Sequence, residues 1–478
     1  MAEERSGLVE RAMFGRIEVW LVAVMMLGAA GAGGAWVFAM LRHDAFPAPI
    51  VREIAVAVRG NPADRRSLSE RLLSDVVESP RRLRATGTRP LPVDEARLVP
   101  VTLAPGYRGP EIETGAMRAL PAEGAVRYFL AYGAFGFTGR QGIIGTVLID
   151  SAGAIHRAWH APRADEPYAG PHIGLAIDAE GRIATNAYGR LTALDWCGGL
   201  AWQADWAPTE ADHNSAESLD WHHDIEAHGG RFYSFQGFDI VAVDGTDGRE
   251  VERVTGYDLL RWSWAQDLHI LDFRLERTIP RDHSDAGIAP SLPMDPFHLN
   301  KIAVLGADQA AEYPGLEAGD WLVSVRDSNA VIVLRPSTQR IVWSSVGHVS
   351  DQHDATFVDG AIEVFNNAPY RLPPRPEITR IDLASGETAT VFDLSRWGVE
   401  MRRRGNFERR GDRLLVPDAD NGRLVAGRLD GTVDFLFENG FDADGGNRTN
   451  LLLTAALEIE AGRVATLEAG CPAGEAGQ

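Results

Sequence analysis

Two kinds of apolar stretch divide the chain. Val19 to Leu41 is uncharged and mostly apolar, behind a polar start that carries Arg5, Arg11 and Arg16. At a rise of ~1.5 Å per residue, a helix of that length crosses a bilayer core. A cleaved signal has a shorter apolar region, roughly 7–15 residues. The pattern therefore predicts a cytoplasmic N-terminus over 1–16 and an uncleaved transmembrane helix over 17–41. The rest is expected outside the cytoplasm, because large domains translocate largely regardless of flanking charge. Residues 42–125 are mixed. Asp64 to Val77 has apolar residues at helical spacing. The remainder is rich in Pro and Arg and is expected to form a linker or stalk.

From residue 126 the pattern becomes short apolar runs cut by Gly, Asp and Asn. Gly145-Thr-Val-Leu-Ile-Asp150, Ile240-Val-Ala-Val-Asp244, Val331-Ile-Val-Leu334 and Ile362-Glu-Val-Phe365 are typical. Such runs between turn residues predict strands. They group into about six units of four strands, each unit roughly 40–75 residues long, with an insertion at 256–294. Four-stranded units repeated radially make a β-propeller. A sandwich needs fewer units, and a β-helix rung is shorter. The expected fold is all-β: a six-bladed β-propeller over 126–465, preceded by the transmembrane helix and the mixed linker segment, with a flexible tail over 466–478. Closure of the ring is expected where Tyr128–Ala131 pairs with Leu451–Leu457.

Composition narrows the function. The formal net charge is -20, which disfavours nucleic acid as a partner. A small anionic ligand remains compatible, because a few local cations decide its binding. Lys301 is the only lysine, so nearly all basic charge is Arg; the sequence suggests a compositional bias of the source genome. Cys197 and Cys471 are too few for a disulfide framework or a zinc site. A bridge between them would need the ends of the domain to meet, which nothing in the sequence shows.

Three units open on a histidine: Trp221-His222-His223-Asp224-Ile225, Pro296-Phe297-His298-Leu299-Asn300 and Gln352-His353-Asp354-Ala355. First strands of propeller blades line the central channel, so His223, His298 and His353 are expected to converge at one mouth. Asn300 shares a strand face with His298 by alternation. Arg326, at the end of the fourth unit's second strand, can reach the same mouth as a fork-shaped anion binder. His222 is the ambiguous neighbour of His223, and alternation puts only one of the two in the channel. A single such histidine is more often a structural residue bonded to a carbonyl; three with an Arg and an Asn make a donor-rich cationic pocket. That pocket suits a sulfate- or phosphate-like group. A neutral imidazole could attack its central atom while Arg326 stabilises the equatorial oxygens and another histidine protonates the leaving oxygen. Three histidines also suit a metal, but a fourth ligand is not obvious and the Arg would repel a cation, so neither metal nor cofactor is expected.

His-His-Asp-Ile, Asp-x-x-His-x-Asn, Ser-x-Arg-x-Ser-Asn-Ala-Val and Gln-His-Asp-Ala followed by Phe-Asn-Asn resemble, in that order, the bacterial arylsulfotransferase family over about residues 140–440. The resemblance implies a periplasmic six-bladed propeller. Its members move a sulfuryl group from an aryl sulfate donor to a phenolic acceptor without the nucleotide sulfate donor of cytosolic sulfotransferases. It implies His353 as the nucleophile of a sulfohistidine intermediate, with His223, His298, Asn300 and Arg326 holding and polarising the sulfuryl group. Of these, His223, His298 and Arg326 are expected as catalytic partners, and Asn300, together with His222 and Asn367, on the substrate. The chain departs from the family in its membrane span, in lacking a short-range cysteine pair, and in Phe-Asn-Asn-Ala where Phe-Asp-Asn-Gly is expected. The expectation is a single-pass protein of the bacterial inner membrane, its propeller in the periplasm, with a homodimer as one arrangement. The rival expectation is a non-enzymatic anchored propeller that binds a partner or a small anion.

Overall fold

The computed structural model describes residues 92–137, 140–160, 174–204, 221–268, 297–368, 375–399, 401, 404–443 and 447–472. Six sheets, one for each expected unit, form a six-bladed β-propeller. The third, fourth and fifth blades are consecutive four-stranded meanders: Trp221–His228 to Glu250–Val254, Leu299–Val304 to Arg340–Val346, and His353–Val358 to Thr388–Asp393. In each, the first-named strand starts the sheet order and pairs with only one neighbour in its own blade.

The apolar runs are continuous because both faces of every blade are covered. On the strand Ala330–Arg335, Ile332 and Leu334 pack into the cluster shared with the third blade, while Val331 and Val333 pack into the one shared with the fifth. Equivalent clusters lie between the first and second blades, the second and third, the fifth and sixth, and the sixth and first.

The ring closes where the sequence places it. Leu453–Ile459, from the C-terminal part of the chain, is the inner strand of the first blade and pairs antiparallel with Tyr128–Phe137. Ile459 faces Tyr128, Leu457 faces Leu130 and Ala456 faces Ala131. The segment expected as linker contributes more than expected. Thr102–Arg108 runs parallel to Ala154–His160 on the outside of the first blade, and Val99–Pro100 and Arg118–Leu120 extend the sixth. Met117 and Ala119 are buried there, so apolar contacts hold this stretch against the blades.

The C-terminal end also differs from a flexible tail. A helix, Ala461–Ala469, carries Glu468 into a bidentate pair with buried Arg157 at 3.0 and 2.8 Å, and Trp196 Nε1 donates to the same carboxylate. Just beyond it Cys471 is bridged to Cys197, 274 residues away in sequence. The ends of the domain do meet, because strand closure brings the C-terminus back to the second blade. Cross-linking so long a loop restricts the unfolded chain, and removing a native bridge of this kind costs about 2–5 kcal/mol. Cys471→Ser, or reduction, is expected to lower the calorimetric melting temperature of the chain.

Among the described residues no helix is long and apolar enough to cross a membrane. The expected span over 17–41, the polar start before it and the helical pattern of Asp64–Val77 lie outside the described residues.

Candidate active site

The site forms where the inner strands of the third, fourth and fifth blades begin. Each departs from regular pairing at that point. His222 pairs with Phe235 and Ile225 with Ser234; Leu299 with Val325 and Lys301 with Ser324; His353 with Phe365 and Thr356 with Glu363. An irregularity separates the two pairs in every case. His223, His298 and Asp354 have positive φ, at 55°, 51° and 44°. A left-handed residue followed by a bulge re-aims side chains and breaks strict alternation. The three histidines therefore do not share one repeat position. By register His353 corresponds to His222, and His223 corresponds to Asp354. Two adjacent positions supply the site, which is why His222 and His223 both belong to it.

His353 is 1% exposed. Its Nδ1 lies 2.7 Å from Asn367 Oδ1, while Asn367 Nδ2 donates to the carbonyls of Met401 and Arg404 at 3.0 and 2.6 Å. Two carbonyls can only accept, so they fix the amide's orientation and leave Oδ1 as an acceptor. His353 Nδ1 must then carry the ring proton and Nε2 the lone pair. Nε2 has no hydrogen-bond partner. Burial, with the positive charge of Arg326 next, lowers the His353 pKa to about 3. The ring is neutral and of fixed tautomer, with its Nε2 lone pair unshared. Asn367, expected on the substrate, spends its polar ends inside the protein and orients His353 from behind. Gly405 closes that side: a Cβ there would fall 2.5 Å from the Phe365 ring and 3.0 Å from His353 Cβ.

Arg326 opens a short 3-10 turn after the fourth blade's second strand, and its backbone N–H donates to the His298 carbonyl at 3.2 Å. Its Nε is buried without a partner. A buried donor left unpaired costs about 1–3 kcal/mol unless a ligand satisfies it. The His223 and His298 rings meet edge to face, with their Nε2 atoms 3.1 Å apart. His222 Nδ1 bonds His223 Nδ1, and His222 Nε2 bonds the Gly237 carbonyl. Asn300 is buried and donates to the Gln352 carbonyl at 2.8 Å, which ties the fourth blade to the residue before His353; its Oδ1 is unpaired.

Two residues at the site have roles that the sequence did not suggest. Arg404, just ahead of the sixth blade, puts a second positive charge near His353 and also pairs with Asp420 at 3.4 Å. Its only sequence signal is the run Arg402-Arg403-Arg404. Lys301 follows Asn300 and reaches Asp224 and Asp354 at 3.1 Å each, the residues next to His223 and His353. Burial opposes its charge, but Asp224, Asp354 and Glu226 outweigh that and its pKa is raised. Burial pushes Asp224 up to about 6, with Lys301 opposing and Asp354 adding to the rise; burial likewise pushes Glu226 up to about 7. The only lysine is thus the cation that joins three inner strands beneath the site, which a compositional bias does not explain. A compact ammonium on a flexible stem, with three rotatable donors, can serve two carboxylates on different strands, whereas a guanidinium is a planar fork matched to one. Among the described residues, no group of three or more His, Cys, Asp or Glu could hold a metal ion.

A sequence model described as arylsulfotransferase (ASST) matches residues 179–440, more than half of the chain, and every candidate residue lies inside the match. No curated protein matches. Among solved structures, a protein of unknown function from Bacteroides caccae is 12% identical, with a TM-score of 0.42 over 70% of this chain and 99% of its own. A streptogramin B lyase is 13% identical, with a TM-score of 0.39 over 74% of this chain and 94% of its own. BamB from Moraxella catarrhalis is 12% identical, with a TM-score of 0.33 over 70% and 86%. Likenesses this low carry no argument about function.

Proposed function

The chain belongs to the arylsulfotransferase family, and we propose that it transfers a sulfuryl group from an aryl sulfate to a phenol through a sulfohistidine on His353. The observation that carries this reading is the His353 ring: buried, neutral, held in one tautomer by Asn367, with an unpaired Nε2 lone pair and the Arg326 charge close by. In the first half-reaction the Nε2–S bond forms as the S–O(aryl) bond breaks, and a histidine of the His223–His298 pair protonates the leaving oxygen. In the second half the pair takes the proton of the phenol as its oxygen attacks sulfur, and His353 is released. Arg326 stabilises charge on the sulfuryl oxygens. No nucleotide sulfate donor is required, because the donor's own aryloxide is the leaving group.

The test is incubation of the full chain with an aryl sulfate and a phenol. Turnover, together with an acid-labile gain of one sulfuryl group on the peptide that carries His353, is expected. Saturable sulfate-ester binding with neither result would overturn the reading in favour of an anion-binding propeller. Arg326→Ala is expected to lower kcat/KM by an amount equal to about 2–4 kcal/mol of transition-state stabilisation, measured by steady-state kinetics with 4-nitrophenyl sulfate.

The pH dependence follows from the lowered pKa of His353. The unperturbed imidazole titrates near ~6.5, and here the value is about 3, so the nucleophile stays unprotonated through mildly acidic pH. The acid limb set by His353 in burst-phase sulfation is expected well below pH 6. For stability the sign is opposite to that of a stabilised imidazolium. The folded state binds fewer protons than the unfolded state between these values, so this contribution is present above the unfolded pKa and lost as pH falls through the folded one.

The disulfide supports an oxidising location for the propeller. With the apolar stretch at 17–41, it favours a single-pass protein of the inner membrane with the propeller in the periplasm. Fractionation with a thiol-accessibility assay tests this: Cys197 and Cys471 recovered as free thiols in the cytoplasm would overturn it.

A further inference from the structure

We propose that His222 is a positioning residue: it fixes the tautomer of His223, so that the proton His223 gains and loses is always the one on Nε2, the atom facing His298. The inference rests on sulfuryl transfer only for the identity of the oxygen that receives this proton.

The geometry leads to it in steps. The Gly237 carbonyl can only accept, so His222 Nε2, which bonds it, carries a proton. Gly237 sits in the turn between the second and third strands of its blade with φ of 60°, which brings its carbonyl within reach of the His222 ring. His222 also stacks on Phe235 at 6.1 Å, at an angle of 24°. Loss of solvent lowers the His222 pKa to about 4, so near neutral pH the ring holds one proton. Its Nδ1 is then a lone pair, and the His222–His223 bond requires His223 to donate from Nδ1. A neutral His223 therefore has its lone pair on Nε2, 3.1 Å from His298 Nε2. When His223 is an imidazolium, the extra proton is on Nε2.

The proton balance closes without another reactant. Cationic His223 gives its Nε2 proton to the aryloxide oxygen as the S–O bond breaks, producing phenol and the neutral Nδ1–H tautomer that His222 favours. In the second half-reaction the acceptor phenol returns a proton to Nε2. Without the acceptor at His222 Nδ1, this hold on the His223 tautomer is lost, and in the other tautomer a proton blocks Nε2.

The test is His222→Phe in the full chain, a ring that keeps the stacking and removes the acceptor. General acid catalysis matters most for poor leaving groups, and its usual contribution is about 10²–10⁴-fold. His222→Phe is expected to lower kcat for phenyl sulfate at least ~10-fold more than for 4-nitrophenyl sulfate. His222→Asn, which restores an acceptor near Nδ1, is expected to recover part of that difference. Equal losses with both donors would show a merely structural role and overturn the proposal. Imidazole ¹⁵N spectra without substrate, recorded at a pH high enough that His223 is neutral, give an independent readout: the wild-type protein is expected to show neutral His223 as the Nδ1–H tautomer, and His222→Phe to lose that signature. An Nε2–H tautomer in the wild-type protein would overturn the proposal. If no aryl sulfate is turned over, the sulfuryl-transfer reading fails, while the spectra still decide the tautomer.

Discussion

His353→Ala is expected to abolish sulfuryl transfer, with kcat/KM for 4-nitrophenyl sulfate falling by at least ~10⁴-fold, or about 5.5 kcal/mol in the barrier. The alanine removes the atom that forms the covalent intermediate, so the burst and the acid-labile mass gain vanish with turnover. The cost to stability is smaller. His353 leaves one buried acceptor, Asn367 Oδ1, without its donor, which costs about 1–3 kcal/mol. The variant is therefore expected to fold and to show native near-ultraviolet circular dichroism. A folded His353→Ala that still releases nitrophenol at a tenth of the normal rate would remove His353 from the mechanism and move the nucleophile to the His223–His298 pair.

Lys301→Met is expected to have the largest effect on stability. Asp224 and Asp354 are 4% and 3% exposed and share the Lys301 ammonium. Asp354 also accepts from the Phe407 backbone N–H of the sixth-blade side, and Asp224 from Ile302 N–H at 3.3 Å. Removing one member of a buried ionic group leaves the others uncompensated, typically at about 3–5 kcal/mol. Urea denaturation should give a loss of that order. The loss should be smaller when Asp354→Asn is already present, since sites in one network are not additive. Its pH dependence has a definite sign. Without the ammonium, which opposes the rise, the Asp224 carboxyl goes further above its unfolded value, and the folded state holds a proton that the unfolded state releases. Stability of Lys301→Met is thus expected to fall more steeply than that of the wild-type protein as pH rises from 4 to 7. Activity should drop even where the variant stays folded, because the aspartates belong to the strand openings that aim His223 and His353. Arginine in place of Lys301 is not expected to restore either property, because its planar fork suits bidentate pairing with one carboxylate, whereas here a point charge is shared by two on different strands.

The blades were legible because their information is local. Runs such as Val331-Ile-Val-Leu334 are too apolar for a half-exposed strand, and Gly or Asp turns bound them at blade-like intervals. Ring closure was legible for a related reason: a closed propeller pairs strands from its two ends, apolar stretches stand there at Tyr128–Ala131 and Leu451–Leu457, and Leu453–Ile459 pairs with the strand that opens at Tyr128. The stretch 99–120 was not, because its strands are short and edge-bound and take their register from blades far away in sequence. The histidines fall between these cases. Their repetition at strand openings marked them as a set, while their register depended on a left-handed residue and a bulge that alternation cannot anticipate.

Pattern and residue type were enough to give this chain its six blades, its closure and its group of imidazole, guanidinium and amide side chains, since strand periodicity and turn chemistry act over a few residues. Side-chain pairings, both within a blade and across blades, were settled by folding. Among them are Asn367 behind His353, His222 between Gly237 and His223, Lys301 between two aspartates, and Cys197 with Cys471. Each joins residues whose distance depends on how bulged strands and neighbouring sheets stack around the axis, and no local rule carries that distance along the chain.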